Sequence, residues 1–236
     1  MTIQTFSDPG GWVPDHRPSL DRPGVHVYVD LSNLIAGARA TACELGEDPR
    51  DVRIEASHLR TLLAACRPVL SATVLANTGV PEPVVNHFRR WFPNVHRADI
   101  GRTSGREEGG DEKLQLDLAY RVLSPGPAGT VVLATGDGAG FGRGRGFIPS
   151  LVIARRAGHG IEVASFPQAL NPRLRSVAVK SGVLVDLDRH YRSITFLARG
   201  QRFAEPVRLT HRPTADPSPL EPGELDWLIG DEGRPS

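Results

Sequence analysis

Residues 25–33 read VHVYVDLSN, and this stretch decides the fold. Its first five residues include three β-branched valines, the composition of a short strand that is buried on both faces. A helix predicted from Ser32 to Leu45 follows directly. A fully buried strand that passes at once into a helix is typical of α/β proteins with a parallel sheet.

Outward from this stretch, predicted strands and helices alternate along the chain. We predict strands at 69–75, 95–100, 130–135, 160–165, 183–187 and 191–197, and helices at 56–66, 82–92, 111–123, 147–157 and 172–180. Such alternation requires crossover connections between parallel strands. The sequence therefore predicts a three-layer α/β sandwich, with a mainly parallel central sheet flanked by helices.

The two ends of the chain differ in composition from its centre. Residues 1–23 are rich in Pro, Gly and Asp and predict a flexible leader, whereas residues 24–203 form the predicted domain. Residues 204–236 are rich in proline and acidic side chains, and predict a mostly disordered tail. We expect this acidic tail to contact the protein's own basic surface or a partner.

Composition argues against several classes of protein. The chain has 236 residues, of which 39% are hydrophobic and 23% charged, as in ordinary globular proteins. No apolar run approaches the roughly 20 residues of a membrane span, and no secretory signal begins the chain. We therefore expect a cytoplasmic protein without a membrane partner. Cys43 and Cys66 lack zinc-site spacing and are expected to be buried and unpaired.

A net charge of +1 conceals a basic body and an acidic end. The basic residues are nearly all arginine, whose forked guanidinium makes paired bonds to phosphate. Two Gly-rich loops hold candidate phosphate-binding residues, namely Arg102, Arg106, Arg143 and Arg145. The alternative for both loops is an exposed, mobile surface loop without a ligand.

Three acidic residues are expected at one edge of the predicted sheet. Asp30 ends the first strand, Asp137 follows the strand at 130–135, and Asp111 begins a helix. The functional crevice of a parallel sheet lies beyond the carboxyl ends of its strands. Carboxylates gathered there repel one another unless a divalent cation such as Mg²⁺ or Mn²⁺ neutralises them. A water acidified by that cation could attack a phosphodiester.

Each of these acids also has a structural interpretation. Asp30 and Asp111 are suitable helix caps, and Asp137 precedes a glycine as a turn residue does. Asp117 lies six positions after Asp111, which places it on a different helix face, and it either reaches the metal through water or holds an arginine. Asn33 lies in a first helical turn, where its amide could orient a carboxylate or phosphate.

The ordered motifs resemble those of the NYN domain family, which belongs to the PIN-like nucleases. VYVDLSNL at 27–34 is similar to the family's opening strand, and DEKLQLDLAYRVL at 111–123 is similar to its helix with two aspartates six positions apart. TVVLATGDGAGF at 130–141 is similar to its strand ending in a Ser/Thr-Gly-Asp triplet. The resemblance covers residues 25–197. It implies the three-layer fold and Mg²⁺- or Mn²⁺-dependent RNA cleavage, with Asp30, Asn33, Asp111, Asp117 and Asp137 as site residues and Asp30, Asp111 and Asp137 as metal ligands.

One position departs from the family's pattern. Family members often carry a second aspartate two residues after the aspartate of the Ser/Thr-Gly-Asp triplet, which is Asp137 in this chain. Ala139 stands at that position here. The alternative function is therefore a weak or inactive NYN-type protein that binds RNA or regulatory partners, and a homodimer is left open. A metal-dependent adhesion module of the von Willebrand type is a weaker alternative, because Leu34 replaces the second serine of its Asp-x-Ser-x-Ser pattern.

Overall fold

The computed structural model describes residues 22–100, 107–108, 110–124, 126–137, 146–210 and 212–226. For residues 99, 100, 107, 108, 110–112 and 199 it describes the backbone and not the side chains. The strands are β1 (Val25–Asp30), β2 (Val52–Ile54), β3 (Val69–Asn77), β4 (Asn94–Ile100), β5 (Glu107–Glu108), β6 (Thr130–Ala134), β7 (Gly160–Ser165), β8 (Val183–Asp186) and β9 (Thr195–Leu197). The helices are α1 (Leu31–Glu44), α2 (Ala56–Ala64), α3 (Glu82–Arg89), α4 (Gly110–Leu123), α5 (Phe147–Arg156), α6 (Pro172–Ser181) and α7 (Tyr191–Ile194).

The central sheet is mainly parallel and has the strand order β5-β4-β3-β1-β6-β7-β8. Its neighbours from β4 to β8 pair in parallel, and only the short β5 runs antiparallel to β4. The first strand lies in the middle, between β3 and β6. This position explains why Val25, Val27, Tyr28 and Val29 are fully buried although they point to two faces. It confirms the predicted α/β class.

Helices cover both faces of the sheet and form two apolar cores. Val27 and Val29 of β1 point to the core beneath α1, α2, α3 and α7, whereas Tyr28 points to the core beneath α4, α5 and α6. Alternate residues of a strand point to opposite faces, so one buried strand contributes to both cores. The helices α1, α3, α5 and α6 directly follow parallel strands of the central sheet, so their amino ends lie at its carboxyl edge.

Two predictions from the sequence were wrong, one for residues 191–197 and one for the burial of the two cysteines. Residues 191–197 are not one strand, because Tyr191–Ile194 forms α7 and only Thr195–Leu197 is extended. This short β9 pairs with β2 in a separate two-stranded sheet rather than with the central one. Cys43 is exposed and Cys66 is partly buried, and both are free thiols. Among the described residues, no helix is both long and apolar enough to cross a bilayer.

The described part of the tail, residues 204–210 and 212–226, packs along the body and so differs from the mostly disordered tail that the sequence predicts. Val207 joins the core beneath α2, and the carbonyl of Ala215 accepts a hydrogen bond from the hydroxyl of Thr130 at 2.7 Å. Further along, Glu224 forms an ion pair with Arg155 at the end of α5. Specific polar contacts thus hold a segment whose composition alone suggests disorder. Residues 1–21 and 227–236 lie outside the described residues.

Candidate functional site

The carboxyl ends of β1 and β6 lie side by side. Val29 of β1 pairs with Ala134 of β6 in parallel register. Asp30 is the last residue of β1, and Thr135, Gly136 and Asp137 follow β6 directly. Neighbouring strands are about 4.8 Å apart, so two sequence segments separated by a hundred residues meet at one edge.

Asp30 is buried, with 6% of its surface exposed, and both of its carboxylate oxygens are engaged. Oδ1 accepts a hydrogen bond from the backbone N–H of Asn33 at 3.0 Å, which makes Asp30 the N-cap of α1. Oδ2 accepts a hydrogen bond from the hydroxyl of Thr135 at 3.1 Å. Asp30 therefore caps α1, as its structural interpretation from the sequence predicted. The cap also fixes the carboxylate at the edge of the sheet, where the functional interpretation predicted an acid.

Thr135 and Asn33 join the two segments at this edge. The hydroxyl of Thr135 also accepts the backbone N–H of Asp137 at 3.1 Å, so one side chain links both aspartates. The side-chain oxygen of Asn33 accepts the backbone N–H of Gly136 at 2.7 Å. Asn33 thus contacts the turn that carries Asp137. Thr135 was not among the predicted site residues, although it is the first residue of the Thr-Gly-Asp triplet, and that motif is the signal that could have selected it.

The surroundings of Asp30 disfavour its charge. Burial is the largest cause, and it raises the pKa of this carboxyl above the ordinary value of 3.8. The negative charge of Asp137 acts in the same direction, whereas the hydrogen bonds from Asn33 and Thr135 act against it. The Asp137 carboxylate is therefore close enough to Asp30 to repel it, and a positive ligand between them would relieve that repulsion.

A third strand is tied to the same edge. The hydroxyl of Ser32 in α1 accepts the backbone N–H of Asn77, the last residue of β3, at 3.0 Å. The first turn of α1 consequently contacts the ends of both strands that flank β1. These hydrogen bonds hold the first turn of α1, and with it Asp30 and Asn33, against the edge of the sheet.

The other predicted site residues lie farther from the edge or outside the described residues. Asp117 accepts a hydrogen bond from the hydroxyl of Thr73 at 2.6 Å. Thr73 pairs with Tyr28, two residues before Asp30, so this contact lies about 7 Å from the edge along the strands. Asp111 lies in the first turn of α4, with its side chain outside the described set. The predicted phosphate-binding residues Arg102, Arg106, Arg143 and Arg145, as well as Ala139, lie outside the described residues altogether.

The donors at the edge are of the type that a hard cation prefers. Asp30 and Asp137 offer carboxylate oxygens, and Asn33 adds an amide from the same helix turn. Among the side chains that the structure describes, no group of three or more acids, histidines and cysteines is placed to hold a metal. The side chain of Asp111 lies outside that set.

Gly136 is packed too tightly for a side chain. A Cβ atom there would lie 2.2 Å from the backbone oxygen of Ala169 and 3.0 Å from the hydroxyl of Ser165. We expect Gly136→Ala to destabilise the fold by about 1–3 kcal/mol, because overpacking forces backbone to move. Thermal unfolding of the purified variant measures this cost, at about 2–4 °C for each kcal/mol. An unchanged melting temperature would show that the turn carrying Asp137 yields easily.

No protein-family model matches the chain, and no curated protein sequence matches it. Among solved structures, it is similar to the crystal structure of a protein of unknown function from Vibrio parahaemolyticus, with 20% sequence identity and a TM-score of 0.50. The match covers 72% of this chain and 98% of that chain. A likeness at this identity concerns the fold alone, and it supports the α/β architecture described above.

Proposed function

We propose that this protein is a divalent-cation-dependent ribonuclease that hydrolyses phosphodiester bonds at the carboxyl edge of β1 and β6. The single observation that carries the proposal is the buried Asp30 carboxylate, held beside Asp137 by Thr135. Burial and the charge of Asp137 both raise the pKa of Asp30. A bound cation would compensate for the unfavourable burial of this carboxylate. Groups with perturbed pKa values of this kind are common at functional sites.

The protein's own residues have distinct parts in this proposal. Asp30 and Asp137 would hold Mg²⁺ or Mn²⁺, together with Asp111 at the amino end of α4. Asn33 and Thr135 keep the two aspartates in place through their bonds to residues 136 and 137. When bound, the cation supplies charge that offsets the developing charge on the phosphate and lowers the pKa of water. The catalytic contribution of the fold is to position these oxygens before substrate arrives.

RNA as the substrate rests on the sequence. The motif order resembles that of NYN domains, and we propose membership of that PIN-like family together with a cytoplasmic location. The excess of arginine in the body suits phosphate binding, since arginine is the usual side chain for paired contacts to phosphate.

A second candidate function is RNA binding without cleavage. The observation that favours it is Ala139, which stands where the family often has another aspartate. With one carboxylate fewer, the site would bind the cation more weakly or would not activate water. The protein would then act by holding RNA or a regulatory partner.

An RNA cleavage assay separates these two functions. Labelled single-stranded RNA is incubated with the full chain in Mn²⁺, in Mg²⁺ and in EDTA. We expect cleavage with at least one cation and none in EDTA. We also expect Asp137→Asn to lose activity by roughly 100-fold, since even groups that only support metal ligands contribute up to that much.

The matched control for this assay is Asp216→Asn. Asp216 is exposed and lies against Gly160 at the start of β7, on the opposite edge of the sheet. The Asp216→Asn variant makes the same change of charge as Asp137→Asn, and its RNA cleavage activity should equal that of the wild type. RNA binding without cleavage under all conditions would favour the second function, and equal activity of the two variants would exclude the proposed site.

A further inference from the structure

A groove follows β8, the strand at the end of the sheet farthest from β5. It consists of a cavity of about 160 Å³ at the carboxyl edge and a second of about 580 Å³ farther along the strand. The two cavities share Arg175, Leu184 and Asp186 as lining residues and therefore adjoin one another. We call this feature the β8 groove.

The β8 groove begins beside the candidate site. Ser165, which lines the smaller cavity, has its hydroxyl 3.0 Å from the position of a Cβ on Gly136. The carbonyl of Gly136 accepts the backbone N–H of Asn171, the N-cap of α6, at 2.8 Å. The wall of the groove thus contacts the residue immediately before Asp137. A polymer bound with one phosphate at Asp137 would have its neighbouring residue at the mouth of this groove.

The chemistry of the groove matches an unpaired nucleotide strand. Pro167, Leu170 and Pro172 give the smaller cavity apolar walls, against which a base ring can pack. Arg175 is exposed, lines both cavities and has no ion-pair partner among the described residues. Arg189 lines the larger cavity, with 79% of its side chain exposed and only a long contact of 3.4 Å to Asp186. Exposed guanidiniums beside a slot with apolar walls suit phosphates and one splayed base.

The other charged groups of the groove are already engaged. Arg212 is buried and bonded to Glu162, so it is not available to a ligand. Asp186 accepts the backbone N–H of Asp188 at 3.0 Å and lies beside Arg189, which offsets its charge. Among the described residues that line the groove, the exposed arginines are Arg175, which has no ion pair, and Arg189, whose pair with Asp186 is long and leaves 79% of its side chain exposed.

We propose that the β8 groove binds the unpaired RNA strand next to the scissile phosphate, with one nucleobase in the smaller cavity and Arg175 and Arg189 on the phosphates. This inference rests on the proposed function and adds a binding surface for its substrate. A base can enter the cavity only when it leaves its helical stack, which unpaired strands permit at low cost. The groove thereby adds selection for single strands at a distance from the aspartates.

Binding measured without cleavage tests this proposal. Fluorescence anisotropy in EDTA gives the Kd of the full chain for a labelled single-stranded RNA of about 12 nucleotides, within the usual site sizes. Removal of one charged hydrogen bond is expected to weaken binding about tenfold in Arg175→Ala, and further in Arg175→Ala/Arg189→Ala. The slope of log Kd against log salt should fall by about 0.7 for each phosphate that the variant no longer neutralises.

The matched control is Arg156→Ala. Arg156 is exposed in the last turn of α5, at the opposite edge of the sheet, and loses the same charge. Its Kd and salt slope should stay close to the wild-type values. Circular dichroism checks that each variant folds, and alanine is well tolerated on an exposed helix face.

The outcomes separate the groove from the nuclease assignment. Equal Kd and slope in the wild type, Arg175→Ala and Arg156→Ala overturn the groove, even if the wild type cleaves RNA. Weaker binding confined to the groove variants supports it, even if no cation restores cleavage. A duplex of the same sequence that binds as tightly as the single strand contradicts the selection for unpaired RNA. Failure of the wild type to bind RNA in EDTA overturns the groove, whereas the cleavage assay in Mn²⁺ and Mg²⁺ decides the nuclease assignment by itself.

Discussion

Replacing Asp30 with asparagine is expected to lower the rate of RNA cleavage about 100-fold or more. The same replacement is expected to stabilise the cation-free protein. The loss of activity follows from removing a proposed cation ligand. The gain in stability follows from the surroundings of the carboxylate, which is buried beside Asp137. Asparagine is as good an N-cap as aspartate, so the bond to Asn33 is retained. Its amide can also meet the hydroxyl of Thr135.

The pH dependence of this stabilisation has a definite sign. The pKa of Asp30 is raised in the folded state, so the folded protein binds more protons than the unfolded chain between the two pKa values. Stability therefore falls as the pH rises from the ordinary value of 3.8 through the folded-state pKa, and the full loss persists at neutral pH. Asp30→Asn lacks this loss and should exceed the wild type in stability most clearly near pH 7.

A divalent cation should reverse the order of the two proteins. A ligand present at 100 times its Kd stabilises the fold by about 2.7 kcal/mol, and only the wild type retains the complete site. Thermal unfolding in EDTA and in Mn²⁺ measures both effects, with Asp216→Asn as the control for charge. The cation site would be refuted if Mn²⁺ left the melting temperature of the wild type unchanged and if Asp30→Asn were less stable than the wild type in EDTA.

The sheet could be predicted because its strands have a local signature. Residues 25–29 and 130–135 are continuous apolar runs next to helical patterns, and a strand buried on both faces needs such a run wherever it lies. Asp30 and Asp137 followed from the same reasoning, since both come directly after those runs. By contrast, β2 and β9 have three residues each and pair with one another outside the central sheet. A pairing so short depends on contacts that the local pattern does not contain.

The tail could not be predicted for a related reason. Its proline and acidic content suggests disorder, and the residue that holds it, Arg212, looks like any surface arginine in the sequence. Its partner, Glu162, is the acidic residue of an otherwise apolar β7. Only the fold reveals that the two meet, with both side chains fully buried. Thr135 differs, because it lies in a recognisable Thr-Gly-Asp motif, but its role in linking two aspartates that are distant in the chain appears only in the fold.

One buried carboxylate connects the tail to the amino edge of the sheet. Glu162 accepts two hydrogen bonds from Arg67, at 2.7 and 2.9 Å, and forms an ion pair with Arg212 at 2.6 Å. Its Oε1 also accepts the backbone N–H of Ala215 in the tail, at 2.7 Å. The two guanidiniums in turn donate to the carbonyls of residues 62–64 at the end of α2. Two positive charges and one negative charge are thus enclosed together.

Glu162→Ala should therefore give the largest loss of stability among the changes considered. It leaves the guanidiniums of Arg67 and Arg212 buried without a counter-charge, and breaking a buried ion pair in this way costs about 3–5 kcal/mol. For a protein of this size the melting temperature should fall by about 6–20 °C. The tail should also become accessible to protease, because Ala215 and Arg212 lose the acceptor that holds them. Thermal unfolding and limited proteolysis of the purified protein measure the two effects.

The matched control is Glu82→Ala, which also removes a carboxylate bonded to two arginines. Glu82 contacts Arg89 and Arg97, but 49% of its side chain is exposed, so its ion pairs are expected to contribute at most about 1 kcal/mol. The difference between the two variants isolates the effect of burial, because the change of charge is the same. Equal losses in both variants, or an intact tail in Glu162→Ala, would mean that apolar contacts such as that of Val207 hold the segment and that the buried charges do not.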